Sequence, residues 1–348
     1  MKALAVEDKQ IMRLCETEIP ELKDKEVLVK VAYCGICGSD LPRFFDGAVH
    51  NFPQILGHEF SGTIVKAGKE VSEGRLGKRV IGAPLMVCGK CPSCRAGKPQ
   101  LCEHYGFIGS HQPGAFAEYV AVPEENIIEV PDQVSFKEAA LVEPFTVGLH
   151  AVERLPFRAG EAALILGAGA IGLAVVAALR ARGAGKIYVV DMNEQRLEFA
   201  AKIGADVTLN PEKVKLEEYF RQNEKAGVVF ETAGHPITQV QAITLAGKGG
   251  KVIYVGTSHR DITFRPQEFE QIFRKELLIT GNMMSYSAPF PGYEWKTALE
   301  YMERGSVNLK EMITGIYPLE AEAEPFWELR KKDSGHIKIL YEIGGEEK

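Results

Sequence analysis

The sequence predicts an α/β protein in which a doubly wound parallel sheet is joined to a separate, strand-rich domain. Three observations predict this. Between 147 and 282, six short apolar runs (163–166, 187–190, 207–209, 228–230, 251–255 and 277–280) alternate with helical stretches, the pattern of parallel strands joined by crossover helices. The first 130 residues instead carry short β-branched runs such as 27–32 and 60–65, punctuated by glycine, which suit a partly open barrel. The remainder, 283–348, ends in the apolar run Ile337-Lys338-Ile339-Leu340-Tyr341, which rejoins the first domain. The expected division is therefore 1–146, 147–282 and a returning segment 283–348.

The parallel-sheet region carries the sharpest motif. A strand at 163–166 runs into Gly167-Ala168-Gly169-Ala170-Ile171-Gly172, then an apolar helix, then a second strand ending at Asp191. Glycines in that order permit a tight turn, close approach of backbone to a pyrophosphate and close packing of helix on sheet, while the helix N-terminus offers unpaired N–H groups to an anion. A glycine turn alone often serves geometry only. A strand before it, a helix after it and an acid about 20 residues on are the context of a dinucleotide site. Gly167, Gly169, Ile171 and Gly172 would contact the cofactor and Asp191 its ribose hydroxyls. Asp191 repels a 2′-phosphate, and Met192 and Asn193 follow it rather than a basic residue, so NAD is expected. Arg196 on the next helix is the nearby cation that could meet a 2′-phosphate.

Composition narrows the function classes. The balance of 41 basic against 47 acidic residues, a net charge of −6, argues against a sequence-independent nucleic-acid or anionic-membrane role. No apolar run approaches a membrane span and the start lacks a signal-peptide core, so a cytoplasmic protein is expected. In such a reducing compartment seven cysteines point to metal binding rather than disulfides.

Two candidate metal sites follow. Cys88, Cys91, Cys94 and Cys102 form a C-x2-C-x2-C-x7-C array inside a lobe at about 84–103. Four thiolates can close on one tetrahedral zinc with no position left open, a structural site. An iron–sulfur cluster is possible by ligand count, and a zinc-ribbon nucleic-acid module would need more than Lys90, Arg95 and Lys98. Cys37, His58 and Glu59 lie in loops between strands, and thiolate, imidazole and carboxylate are the ligand types of a catalytic zinc. Singly, each also reads as a buried small hydrophobe or a hydrogen-bonded core residue. Glu143 lies in the apolar helical stretch 134–151, where a carboxylate must be paired, protonated or on a metal, and Pro144 beside it should bend the helix.

Cys37-Gly38-Ser39-Asp40, Gly57-His58-Glu59, the four-cysteine lobe, Glu143-Pro144 and the glycine turn together resemble the zinc-dependent medium-chain alcohol dehydrogenases, specifically their polyol branch, over essentially the whole chain. The resemblance implies a GroES-like catalytic domain beside a Rossmann domain, two zinc ions per chain and NAD. It implies that Cys37, His58 and Glu143 hold the catalytic zinc, with Glu59 beside it as an alternative ligand or through water. Ser39 matches the family hydroxyl that takes the alcohol proton, whereas Pro42 stands where a relay histidine is usual. The implied substrate is a small polyol or polyol phosphate, and the implied assembly is a homodimer or homotetramer joined through the strand at 277–280.

Arg43, four residues after Ser39, would bind a substrate phosphate with help from His50, and His111 is the one possible cation of the 109–113 loop. Otherwise Arg43 would pair with Asp40 or Asp46. Competing readings are oxidation of free sorbitol, threonine or butanediol, a zinc-free quinone or enoyl reductase, and a non-catalytic NAD sensor with a zinc-stabilised lobe.

Overall fold

A computed structural model describes residues 1–331 and 333–346. The chain divides into two compact units. The first comprises Met1–Pro144, Tyr286–Arg304 and the chain from Ile313 on; the second comprises Phe145–Ser285 and Gly305–Met312. Gly305–Met312 thus groups with the parallel-sheet unit, because the turn Lys310–Met312 packs against helix Glu194–Ile203.

In the first unit the organising element is the ten-residue strand Glu26–Gly35, buried at nine of its positions. Two register irregularities, at Leu28/Val29 and Val31/Tyr33, let it bend as bulged strands do and pair with three neighbours, Glu59–Ala67, Tyr119–Pro123 and Lys338–Glu342. Arg79–Gly82, Ile127–Glu129 and Ile313–Pro318 complete a seven-stranded sheet, and Ile11–Glu16, Lys2–Asp8 and Gln54–Ile55 form a smaller one. Their shared core includes Val29, Val31, Phe44, Phe60, Phe116, Phe326 and Tyr341. Each such side chain stabilises the fold by roughly 1.5 to 3 kcal/mol through burial alone. The register sets Gly35 opposite both Glu59 and Leu340, so Lys338, two residues before Leu340, comes within reach of Glu59.

The expected bent helix is instead two helices, Phe136–Ala139 and Val142–Val152. Ser135 caps the first by accepting the Glu138 N–H at 3.2 Å. Pro144 falls in the first turn of the second, where its missing N–H would be unpaired anyway, so it starts a helix without bending one.

The second unit is a six-stranded parallel sheet ordered Val207–Leu209, Ile187–Val190, Ala163–Leu166, Val228–Glu231, Lys251–Tyr254 and Leu278–Gly281. The three central strands are wholly buried, as strands covered by crossover helices must be. The strand order reverses at Ala163–Leu166, and the glycine turn sits at its carboxyl end, where ligands bind in such sheets. No helix among the described residues is long and apolar enough to cross a membrane.

Candidate active site

Cys37, His58 and Glu59 each offer a ligand atom within 4.8 Å of the other two. Their placement follows from the sheet. Cys37 lies two residues beyond the long strand, and Glu59 opens the strand paired with it. A Cβ at position 35 would lie 2.3 Å from Glu59 Oε2, so any side chain there would displace the carboxylate. His58 and Glu59 are nearly inaccessible, at 3% and 1% exposure. Lys338 donates to both carboxylate oxygens of Glu59 at 2.7 Å and to the Ile36 carbonyl at 3.0 Å.

Glu143 stands outside this three-residue set but interacts electrostatically with all of it. Burial first, and then the charge of Glu59, pushes its carboxyl up to about 8, with His58 acting in the opposite sense. The Cys37 thiol is pushed up to about 11, again by burial and then Glu59. For Lys338, burial opposes the charge, but Glu59 and Cys37 outweigh it and hold the ammonium above its ordinary value. Anionic ligands crowded into a dry site are stabilised by a cation among them, which is what a metal ion would provide.

Asp40, fully buried at the start of helix Asp40–Phe45, ties the surroundings together. Its Oδ2 accepts the Cys37 N–H at 3.0 Å, its Oδ1 accepts from Arg43 Nη1 at 3.0 Å, and the same oxygen lies 3.6 Å from His58 Nδ1. Arg43 Nη1 also donates to Ser39 Oγ at 3.0 Å. Of the two expectations for Arg43, the ion pair with Asp40 is therefore the geometry found. Ser39 itself is exposed, and Pro42 sits half-buried within the helix. The His50 and His111 rings are in tilted contact, with centroids 4.3 Å apart.

The four cysteines of the lobe also converge, their sulfurs all within 4.8 Å, and none forms a disulfide. Backbone N–H groups point at the sulfurs, from Cys88 to Cys102 Sγ at 3.3 Å and from Cys91 to Cys88 Sγ at 3.4 Å. Such donors, from Cys94 and Glu103, bring the Cys91 thiol down to about 6, whereas burial and the neighbouring thiols push Cys94 up to about 12, a split that a cation among the four sulfurs would remove.

In the second unit, Gly167 has φ of +107°, and a Cβ on Gly172 would meet the Gly167 carbonyl at 1.9 Å. A Cβ on Gly169 would meet nothing within 4 Å, so the protein itself does not demand glycine there. Gly169 begins helix Ala170–Ala181 without a side-chain cap, which leaves the first-turn N–H groups for an anion. Asp191 is fixed by N–H donors from Ala168 at 2.7 Å and Asn193 at 2.8 Å. It lines a cavity of about 440 Å³ with Gly167, Met192, His235 and Ile237. Of the expected cofactor residues, Gly169, Ile171, Gly172 and Arg196 do not line it; Arg196 donates its backbone N–H to the Asn193 cap.

Residues 23–132 match the family described as the alcohol dehydrogenase GroES-like domain, and residues 170–304 match zinc-binding dehydrogenase. The chain belongs to the zinc-dependent medium-chain alcohol dehydrogenases. It is thus an oxidoreductase acting on a small molecule. Galactitol 1-phosphate 5-dehydrogenase of Escherichia coli K12 is 37% identical over 328 residues, covering 93% of this chain and 95% of that one. Sorbitol dehydrogenase of Bacillus subtilis is 36% identical over 329 residues, covering 92% and 91%. The crystal structure of galactitol-1-phosphate dehydrogenase from Escherichia coli superposes with a TM-score of 0.93 at 35% identity, covering 98% of this chain and all of that one.

Sequence reasoning on this alcohol dehydrogenase missed Lys338 and gave Asp40 no role beyond a partner for Arg43. Lys338 left a signal, a lone cation inside the apolar run 337–341, since a buried charge needs a partner. Thr232 was also missed; its hydroxyl donates to the Leu166 and Gly167 carbonyls at 3.0 and 2.9 Å and braces the glycine turn.

Proposed function

We propose that the protein oxidises a secondary hydroxyl of a polyol or polyol phosphate to a ketone, with NAD as hydride acceptor and galactitol 1-phosphate to tagatose 6-phosphate as the specific reaction. The observation that carries the reading is the cluster of Cys37, His58 and Glu59, with the Glu143 carboxylate close enough to interact electrostatically with all three. One thiolate with carboxylates makes a harder site than a set of thiolates, and this suits chelation by adjacent hydroxyls. Two relatives of nearly equal identity, one named for a phosphorylated and one for a free polyol, support the polyol class.

In this reading Cys37, His58 and Glu143 hold the catalytic zinc, and Cys88, Cys91, Cys94 and Cys102 hold the structural one. The donor types fit zinc: the four lobe sulfurs converge on one another, and Cys37 and His58 converge with Glu59, while Glu143 interacts with all three through its charge. Bound zinc supplies Lewis acidity that lowers the pKa of a substrate hydroxyl, and bound NAD accepts hydride. Asp40 faces His58 Nδ1 across 3.6 Å, beyond hydrogen-bond distance, and its charge there favours Nε2 as the metal ligand. Lys338 neutralises Glu59, so that the site carries Glu59 beside the metal without a further net negative charge. Ser39 takes the substrate proton, and because Ser39 is exposed the proton passes to water with no need of a histidine at 42. Gly167, Gly169, Ile171 and Gly172 bind the dinucleotide and Asp191 its ribose. The assembly is a homodimer or homotetramer, built through the edge strand Leu278–Gly281.

The test is a screen of free and phosphorylated polyols for NADH formation by protein with its zinc content measured. About two zinc ions per chain and polyol-dependent NADH are expected. A zinc-replete protein that reduces NAD with no polyol sinks the proposal.

A further inference from the structure

His50 and His111 come from different segments, yet their rings meet at a tilt, with centroids 4.3 Å and planes 43° apart, and Tyr105 packs edge-on against His111 at 5.2 Å. The pairing is built in. The buried side-chain amide of Gln54, four residues after His50, donates to the Gln112 carbonyl at 3.1 Å, which holds the two segments together. The His111 N–H bonds to the Phe107 carbonyl at 2.9 Å, and the Phe107 ring packs on His58 at 5.2 Å. Arg43, whose guanidinium touches Ser39, lies close enough to His111 for their charges to interact. The histidine pair therefore adjoins the proposed zinc ligands along two routes.

The electrostatics of this corner are one-sided. The groups facing His111 are His50, Arg43 and Tyr105, and no carboxylate among the described residues pairs with either ring. The Asp40 carboxylate that pairs with Arg43 is held by that guanidinium and by the Cys37 N–H. Burial first, and then His50 and Arg43, hold the His111 imidazole below its ordinary pKa. Two exposed imidazoles crowded beside a guanidinium repel one another once charged, and a dianion bound against the edges of both rings offsets that repulsion.

We propose that His50 and His111 form the subsite for the terminal phosphate of the substrate, and that they take up protons as the dianion binds. This rests on the polyol phosphate reading above and deepens it: the histidine pair, not Arg43, distinguishes phosphorylated from free polyols. Binding of a dianion stabilises the imidazolium form, so affinity falls as pH rises through the range that starts at the lowered value of the free His111 imidazole.

Sulfate is the probe, because it stays a dianion across the range in which histidine titrates. Calorimetric titration of the zinc-loaded protein in buffers of different ionisation enthalpy reads both affinity and proton uptake. The parent should bind sulfate with proton uptake. His50→Gln/His111→Gln should bind it at least about tenfold more weakly without uptake, the loss expected for charge-assisted contacts. His50→Gln/His111→Lys should regain affinity but not uptake. In turnover, the Gln pair should lower the efficiency ratio of galactitol 1-phosphate to free galactitol by about tenfold or more. Sulfate affinity unchanged in the Gln pair, or an unchanged ratio, overturns the proposal. Absence of any polyol-dependent NADH overturns the function itself, and the calorimetric arm is read independently of that result.

Discussion

Lys338 Nζ lies 2.7 Å from each carboxylate oxygen of Glu59, and neither side chain is more than 3% exposed. The pair joins residues 279 apart in the chain, beside the proposed catalytic metal. Removing one member of a buried ion pair strands the other charge and costs about 3 to 5 kcal/mol. Lys338→Met should lower the urea midpoint by that equivalent, and Glu59→Gln/Lys338→Met should recover much of it. A single variant as stable as the parent would show that Glu59 is protonated and the pair is not ionic.

The two metal sites should separate by mutation. Cys37→Ala or His58→Ala should abolish turnover and leave a folded protein with about one zinc per chain, because the four-cysteine lobe is closed on itself. Cys91→Ala should instead lower the melting temperature, since structural zinc binding is coupled to local folding. Metal analysis beside calorimetric melting decides it. Both zincs retained in Cys37→Ala would refute the assignment.

Cofactor choice rests on Asp191, whose oxygens are each held by a backbone N–H and so cannot swing away from a 2′-phosphate. NAD should therefore exceed NADP in kcat/KM by about a hundredfold, roughly two charge-scale contacts. Asp191→Ser should narrow the gap from both sides. Equal efficiency with the two cofactors in the parent would defeat this, and Arg196 would then be the residue to vary.

The parallel sheet was legible almost residue by residue, because buried parallel strands are continuous apolar runs bounded by turn residues. The strand at 228 runs one residue further than expected, to Glu231, which survives burial by accepting N–H bonds from Ala233 and Gly234 and the Thr238 hydroxyl. The strand order of the first unit was not legible, since it depends on bulges in Glu26–Gly35 that spacing does not encode. For the same reason the sequence named Cys37 and His58 by motif but could not bring Lys338 to Glu59 or His50 to His111. Those contacts are set by cross-strand register and by one glutamine.

At the edge of the parallel sheet, Leu278 and Ile279 are 53% and 39% exposed, and an open edge strand with apolar residues invites pairing. Light scattering at micromolar concentration should show a dimer or tetramer. Leu278→Glu should shift it toward monomer while leaving the fold's circular dichroism intact. A monomeric parent would end the assembly proposal.

Arg43 was expected to read the substrate phosphate, and its geometry changes what its removal should do. Its Nη1 bridges Asp40 and Ser39, and Asp40 in turn holds the Cys37 N–H and faces His58. Arg43→Ala therefore uncovers a fully buried carboxylate one contact away from two proposed zinc ligands. A stranded buried acid costs several kcal/mol unless it protonates, and once protonated it no longer favours His58 Nε2 as the metal ligand. Turnover of galactitol 1-phosphate and of free galactitol should fall together, by about tenfold or more, with weaker zinc retention. Arg43→Lys should restore part of both, because an ammonium can still pair with Asp40 but cannot span to Ser39 as the guanidinium fork does. If Arg43→Ala depressed only the phosphorylated substrate and left zinc content and free-polyol turnover untouched, Arg43 would be the phosphate ligand and its bond to Asp40 incidental.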